Sequence, residues 1–333
     1  MVGNWGWLQR SQWFDKKRLA HPQHTEENKI LGLVFSRDRA MQLDCALRSF
    51  FLHCTDAREA RLFVIYKATT DLHGRQYAQL AQEYDEVCFL KQKKFRWDVL
   101  DLLLQFASDR PAGYVPRPLL TFCGLSGVPC NISLHDPSRS VLFMVDDNVF
   151  VRKFSLLQVH KSLIEQQDAL GFSLRLGTNT TYCYSLDKAQ ALPTFASLDG
   201  QVLKFNWTRH VDGDFSYPLE VSSSVYRVSE LVPLLTSLFF NNPNALEGNM
   251  ANRAGRFRKR FPYLLCYTRS VTFCNPVNVV QSVYSNRARE GSEYSTERLT
   301  ELFEEGYRIN VNSYRDFVSN ACHQDKELVF ERN

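Results

Sequence analysis

The chain of 333 residues is notable first for what it does not carry. It has no apolar run of the ~18 residues that a membrane-spanning helix needs, so nothing in it reads as a span. It has no C-x-x-C pair. Its nine cysteines are scattered, the spacings Cys123/Cys130 and Cys266/Cys274 match no zinc site, and a reducing, cytoplasmic compartment with buried thiols is the simple reading. It has no strong excess of charge: 40 basic against 36 acidic residues leave +4, which argues against nucleic acid as the main partner. The opening "MVGNWGWLQRSQWFDKKRLAHPQH" lacks a continuous apolar core, so it does not read as a signal peptide. Its Trp5, Trp7 and Trp13 suit either packing back on the body or a peripheral contact at the inner face of a membrane.

Several phosphate-handling signatures are also missing. There is no G-x-x-x-x-G-K-[ST] and no G-x-G-x-x-G, which removes the main support for P-loop and dinucleotide sites. No G-x-S-x-G elbow is present, and with it goes the common hydrolase signal.

What is present is a rhythm. "ILGLVF" reads as a buried strand, and "MQLDCALRSFFLHC" after it has apolar residues at helical spacing. "ARLFVIYKA", a helix over 74–84, "EVCFL" and a helix over 95–106 repeat the alternation, which predicts a parallel sheet with helices on both faces. Residues 108–139, rich in proline and glycine, read as a loop or insertion. A strand over 141–145, a helix near 156–164 and a strand near 170–174 follow. Beyond 175 the pattern loosens, with helices expected at 229–238, 245–254 and 296–304, the last closed by Gly306.

One stretch stands out. In "VLFMVDDNVFV" an apolar strand runs straight into Asp146, Asp147 and Asn148. Oxygen-bearing side chains at the end of a buried strand are costly unless something binds them. Ligands of open parallel sheets bind outside the carboxyl ends of the strands, and neighbouring carboxylates are relieved by a cation. A hard divalent ion with a diphosphate fits that position. A solvated turn in which Asp147 or Asn148 caps the next element is the plain alternative.

These residues resemble family 2 glycosyltransferases of the GT-A fold. The first strand followed by "SRDR" and "MQLDCALRSF" looks like the family's opening, "MVDDNVF" looks like its Asp-x-Asp motif, and "SSSVYRVSELVPLL" is similar to its Tyr-Arg segment before a helix. The likeness runs over 30–155 and, more loosely, 200–282. It implies an α/β, GT-A-type (Rossmann-like), mostly parallel sheet flanked by helices. It implies a nucleotide-diphospho-sugar donor, Mn2+ or Mg2+, and inverting transfer to a glycan or lipid-linked acceptor in surface polysaccharide or glycan synthesis. Under it, Asp146 and Asn148 are the expected metal ligands, and Asp147 contacts the ribose or sugar or is itself the second ligand. Ser36, Arg37 and Arg39 meet the nucleotide, and Lys94, in the basic run "KQKKFRW", helps hold the diphosphate. The acceptor's proton goes to Glu247 or, as the rival, Asp214. Asn at the third motif position, and Leu-Glu where the family has Glu-Asp, keep a catalytically silent sugar-nucleotide binder or scaffold of the same fold as the alternative. The division expected is an N-terminal segment 1–28, a glycosyltransferase domain 29–282 and a partly helical C-terminal extension 283–333.

Overall fold

A computed structural model describes residues 28–108, 138–278 and 293–332. The N-terminal tryptophans and nearly all of the 108–139 insertion lie outside the described residues. The first half of the described chain alternates β1 (Ile30–Arg37), α1 (Ala40–His53), β2 (Ala60–Lys67), α2 (Asp71–Glu83), β3 (Val87–Lys91), α3 (Phe95–Ser108) and β4 (Ser140–Val145). β1 pairs in parallel with β2 on one side and β4 on the other, Leu33 facing Phe63 and Phe143. It is buried along nearly its whole length, as a strand covered on both faces must be. Successive residues serve opposite cores: Ile30 and Val34 join the cluster beneath α1 and α2, while Leu31, Leu33 and Phe35 join the one beneath α3.

The second half is mixed. β5 (Asn148–Phe150) leaves the sheet, then come α4 (Leu156–Glu165), β6 (Ala169–Ser173), a small ribbon of β7 (Tyr182–Cys183) and β8 (Lys188–Ala189), β9 (Phe195–Ser197), β10 (Val202–Asn206) and β11 (Ser224–Arg227). α5 (Val228–Thr236), α6 (Pro243–Arg253), β12 (Tyr263–Tyr267) and β13 (Thr272–Cys274) follow, then α7 (Thr296–Glu304), β14 (Tyr307–Ile309) and β15 (Phe330–Arg332). The nine-stranded sheet has the order β3-β2-β1-β4-β11-β6-β12-β10-β9. β11 is antiparallel to both β4 and β6, and β10 is antiparallel to both β12 and β9. All other strands point one way, so the sheet is mixed but mostly parallel and one edge collects most of the carboxyl ends.

The Tyr-Arg pair of the sequence works inside this frame. Gly171 leaves room for Tyr226, whose ring lies where a Cβ would stand, 2.6 Å away. Arg227 donates to the carbonyls of Ala169, Leu163 and Gln166, closing the carboxyl end of α4. Both residues are therefore part of the scaffold. The last segment docks on α1 and α2 through ions as well as apolar packing. Arg308, almost wholly enclosed, sits 3.2 Å from Glu83 and 3.8 Å from Asp44, and Arg48 reaches Glu331 at 2.8 Å. α7 ends as its sequence predicts, with Gly306 in the left-handed region at φ +83°.

Candidate active site

Because β1 and β4 are paired in register, Phe35 beside Val145, the turns that follow them meet at one edge. Arg39 spans that meeting point. Its Nη1 lies 3.1 Å from Asp146 Oδ1, its Nη2 donates to the carbonyl of Asn278, and the backbone N–H of Arg37 donates to Asp146 Oδ2 at 3.3 Å. Burial alone would lower the guanidinium's pKa, but the carboxylates of Asp146 and Asp147 raise it on balance, so its charge is secure.

The next two residues divide the work of the turn. Asn148 is fully enclosed. Its Oδ1 accepts from the N–H of Val145 at 2.9 Å, and its Nδ2 donates to the carbonyl of Ser222 and the Cys274 sulfur. The side chain expected to ligate a metal is thus engaged at both ends in holding the turn from within. Asp147 is half-buried, and its Oδ1 has no hydrogen-bond partner. Burial foremost, with the neighbouring Asp146, pushes its carboxyl up to about 6 against the pull of Arg39, the Cys274 thiol and Arg175. Its backbone carbonyl accepts from Asn275, which pins this end of the β5–β13 ribbon. Among the described residues no group of three or more His, Cys, Asp or Glu side chains could hold a metal. What this edge offers is the pair Asp146 and Asp147, a donor set suited to a hard cation that takes its remaining oxygens from a substrate.

Across from this turn stands Arg175, just past the carboxyl end of β6. It pairs with Glu220 at 3.1 Å, and both side chains are almost completely enclosed. Its Nη1 lies 3.4 Å from His323 Nε2; burial first, then Arg175, lowers that imidazole to about 3, so it is neutral and accepts. Glu247 sits in α6, whose start is fixed by Pro243 and by Asn242 capping the N–H of Ala245. One oxygen of Glu247 accepts from the N–H of Val221 at 2.8 Å, and the other meets the Tyr217 hydroxyl at 3.5 Å. Burial, reinforced by Glu220 and opposed by Arg175, pushes Glu247 up to about 6. Asp214 opens a single 3-10 turn after Gly213 (φ +79°), exchanging hydrogen bonds of 2.9 Å with Gln190. Its pKa is raised by burial, again against Arg175. Asp147, Asp214 and Glu247 therefore all lie within the electrostatic reach of one buried guanidinium.

The remaining expected residues lie on the same edge but not all in the cluster. The Ser36 hydroxyl turns inward to Tyr77 at 2.6 Å, while the Arg37 side chain is 45% exposed. Lys94 is exposed at the start of α3, two strands away from β1 in the sheet order. Sequence reasoning missed Arg175, Glu220, Cys274 and His323. Only Arg175 carried a signal, a lone cation closing the apolar run "ALGFSLRLG".

Comparison with known proteins adds a relative. No protein-family profile matches the chain. It is 23% identical over 316 residues to the bifunctional glycosyltransferase pgtA of Dictyostelium discoideum, the match covering 87% of this chain and 37% of that protein. The chain thus spans little more than a third of the curated relative's length. Among solved structures, an active-site mutant of LgtC aligns with 82% of this chain and 95% of its own, at 14% identity and a TM-score of 0.29, an overlap too loose to carry weight.

Proposed function

We propose that the protein is a glycosyltransferase that moves a sugar from a nucleotide-diphospho-sugar to an acceptor hydroxyl with inversion, using a divalent cation. The observation that carries this reading is the meeting of Arg39, Asp146 and Asp147 at the carboxyl ends of β1 and β4, with one Asp147 oxygen left without a partner. The relative's name supports the same chemistry.

In this reading Asp146 and Asp147 hold the cation, Mn2+ or Mg2+, and Asn148 is the post behind them. When bound, such an ion supplies positive charge against the departing diphosphate. Arg39 holds Asp146 in place, and the exposed Arg37, 3.6 Å from Asp38, is placed to meet phosphate. Glu247 takes the acceptor's proton as its oxygen bonds to the anomeric carbon. The bond from that carbon to the diphosphate breaks, and its electron pair leaves with the diphosphate. A carboxyl near 6 suits this task, being ionised at neutral pH yet basic enough to accept a proton. Asp214, held by Gln190, is better suited to hydrogen-bonding sugar hydroxyls. The acceptor is a glycan or a lipid-linked glycan of surface polysaccharide synthesis, at the inner face of a membrane.

The test is thermal stability with UDP-, GDP-, CMP- and dTDP-sugars, each with and without Mn2+. One donor with Mn2+ should raise Tm more than the two raise it separately, because the protein supplies only two carboxylates. If no combination shifts Tm, the donor site is not there. Slow release of nucleotide from that donor, abolished in Asp146→Ala, separates an enzyme from a silent binder.

A further inference from the structure

The chain leaves Asp147 along β5, pairs with β13, and emerges at the far end of that ribbon. There the Val151 N–H bonds to Val271 and Arg152 Nη1 donates to the carbonyl of Ser270 at 3.1 Å. At this end lies a cavity of about 470 Å3, within the size range of small-molecule sites. Its wall includes Arg152, Lys153 and Arg269, with Gln158, Gln201 and Tyr267 between them. It shares no lining residue with the Arg39–Asp147 turn or with Arg175, Asp214 and Glu247.

The charges of this wall are not balanced. Among the described residues none of the three cations forms an ion pair within 4.0 Å. Arg152 and Lys153 are held only by neutral carbonyls, those of Ser270 and Leu52. The two carboxylates attached to the lining are occupied by other donors. Asp56 accepts from the Ser155 hydroxyl and the N–H groups of Leu156 and Leu157. Asp199 accepts from Gln158 and the N–H groups of Gln201 and Val202. Positive charge reaches His53, whose pKa is lowered by burial first and then by Lys153, Arg315 beyond the wall and Arg152, with Asp316 opposing. Holding like charges around a concavity is unfavourable unless an anion joins them.

We propose that the cavity framed by Arg152, Lys153 and Arg269 binds a phosphate-class anion, either free in solution or carried as the headgroup of a lipid. Guanidinium and ammonium groups in one lining match phosphate oxygens, Arg through paired N–H groups and Lys as a point charge. The site is independent of the glycosyl-transfer reading.

The experiment is equilibrium binding of inorganic pyrophosphate, without divalent metal, to the wild type, to the exposed double variant Lys153→Glu/Arg269→Glu, and to Asp146→Ala. Wild type and Asp146→Ala should bind alike, while the double variant should bind about tenfold or more weakly, a loss of about 1.4 kcal/mol or more. Arg152→Gln, which keeps a donor for Ser270, is the second variant should the charge reversals unfold the protein, and it too should weaken binding. Sedimentation with phosphatidylcholine vesicles, with and without phosphatidic acid, separates the sources. Pelleting only with phosphatidic acid, reversed by pyrophosphate and lost in the double variant, identifies a lipid headgroup; pyrophosphate binding without pelleting identifies a soluble anion. No pyrophosphate binding in the wild type, or binding that is lost in Asp146→Ala and kept in the cavity variants, overturns the proposal. Neither result would touch the donor site, which the metal-linked Tm shift tests separately.

Discussion

Arg175 and Glu220 form an ion pair of 3.1 Å in which the two side chains are 8% and 4% exposed. Glu220 also accepts from the N–H of Ser222 and the hydroxyl of Ser224, so its lone pairs are satisfied and the pair is fixed. A buried pair of this kind is weak evidence of stabilisation, because desolvation offsets most of its attraction. Its significance lies in position. It brings a permanent positive charge within electrostatic reach of Glu247, Asp214 and Asp147, and opposes the burial that raises the pKa of each.

Glu247→Gln tests the base. Loss of a general base lowers kcat by roughly 10²–10⁴-fold, with donor KM little changed. In the wild type kcat/KM should fall as pH drops through about 6, and that limb should vanish in the variant. Stability should respond with the opposite sign. A carboxyl raised from 4.5 to about 6 by folding holds its proton more tightly when native, so it opposes folding above about 6 and ceases to below 4.5. The variant should therefore be at least as stable as the wild type at pH 8 in urea titrations, with the advantage gone at pH 4.

How much of this could be read beforehand depended on locality. β1 to β3 declared themselves because each is an apolar run whose helix follows at once, and β4 as a continuous apolar run alone. Arg39, Asp146 and Asp147 were read as candidates from the same pattern, since they follow the ends of such strands. β9 and β10, with Gly200 at φ +83° between them, are short and partly exposed, and β12 is obscured by the basic run just before it. Asn148 was beyond reach. Its partners Ser222 and Cys274 are 74 and 126 residues away, and nothing local distinguishes an inward carboxamide from an outward one.

Asn148→Asp restores the full acidic motif on paper and should harm the protein. Val145 would still find an acceptor, but the carbonyl of Ser222 and the sulfur of Cys274 would face an acceptor where they now face a donor. With the side chain fully enclosed, the unpaired group costs about 2–4 kcal/mol. Denaturant titration should record that loss with no gain in the response of Tm to Mn2+. A variant as stable as the wild type with stronger metal response would return Asn148 to the list of ligands.

Arg308→Ala should loosen the C-terminal segment and leave the donor site intact. The side chain joins α1 and α2 to the last ribbon through Asp44 and Glu83 and packs over the ring of Phe303. Asp44 is itself enclosed, its pKa raised by burial and restrained by Arg48 and Arg308. Removing one of those cations costs about 3 kcal/mol. Urea unfolding followed by tryptophan fluorescence measures it, and donor KM below the new Tm should be unchanged. A loss under 1 kcal/mol would mean that the Arg308 pairs add little to the docking supplied by apolar packing and the Arg48–Glu331 pair.

Arg175→Gln is the sharpest probe of how these carboxyl groups are tuned. Gln keeps hydrogen-bond donors for Glu220 and removes the charge, so the local geometry has the best chance of surviving. Arg175 lowers the pKa of Glu247 from where burial and Glu220 would otherwise hold it. Without that charge Glu247 should ionise only at higher pH. The acid limb of kcat/KM should move above about 6, each unit of movement being about 1.4 kcal/mol of lost attraction. Activity at pH 7 then falls, and raising the pH restores it. A misfolded or merely destabilised variant would lose activity at every pH instead, so recovery on the alkaline side is the distinguishing result. An unmoved limb would mean that Arg175 does not set the ionisation of Glu247, and would leave Asp214 as the candidate to test for the proton acceptor.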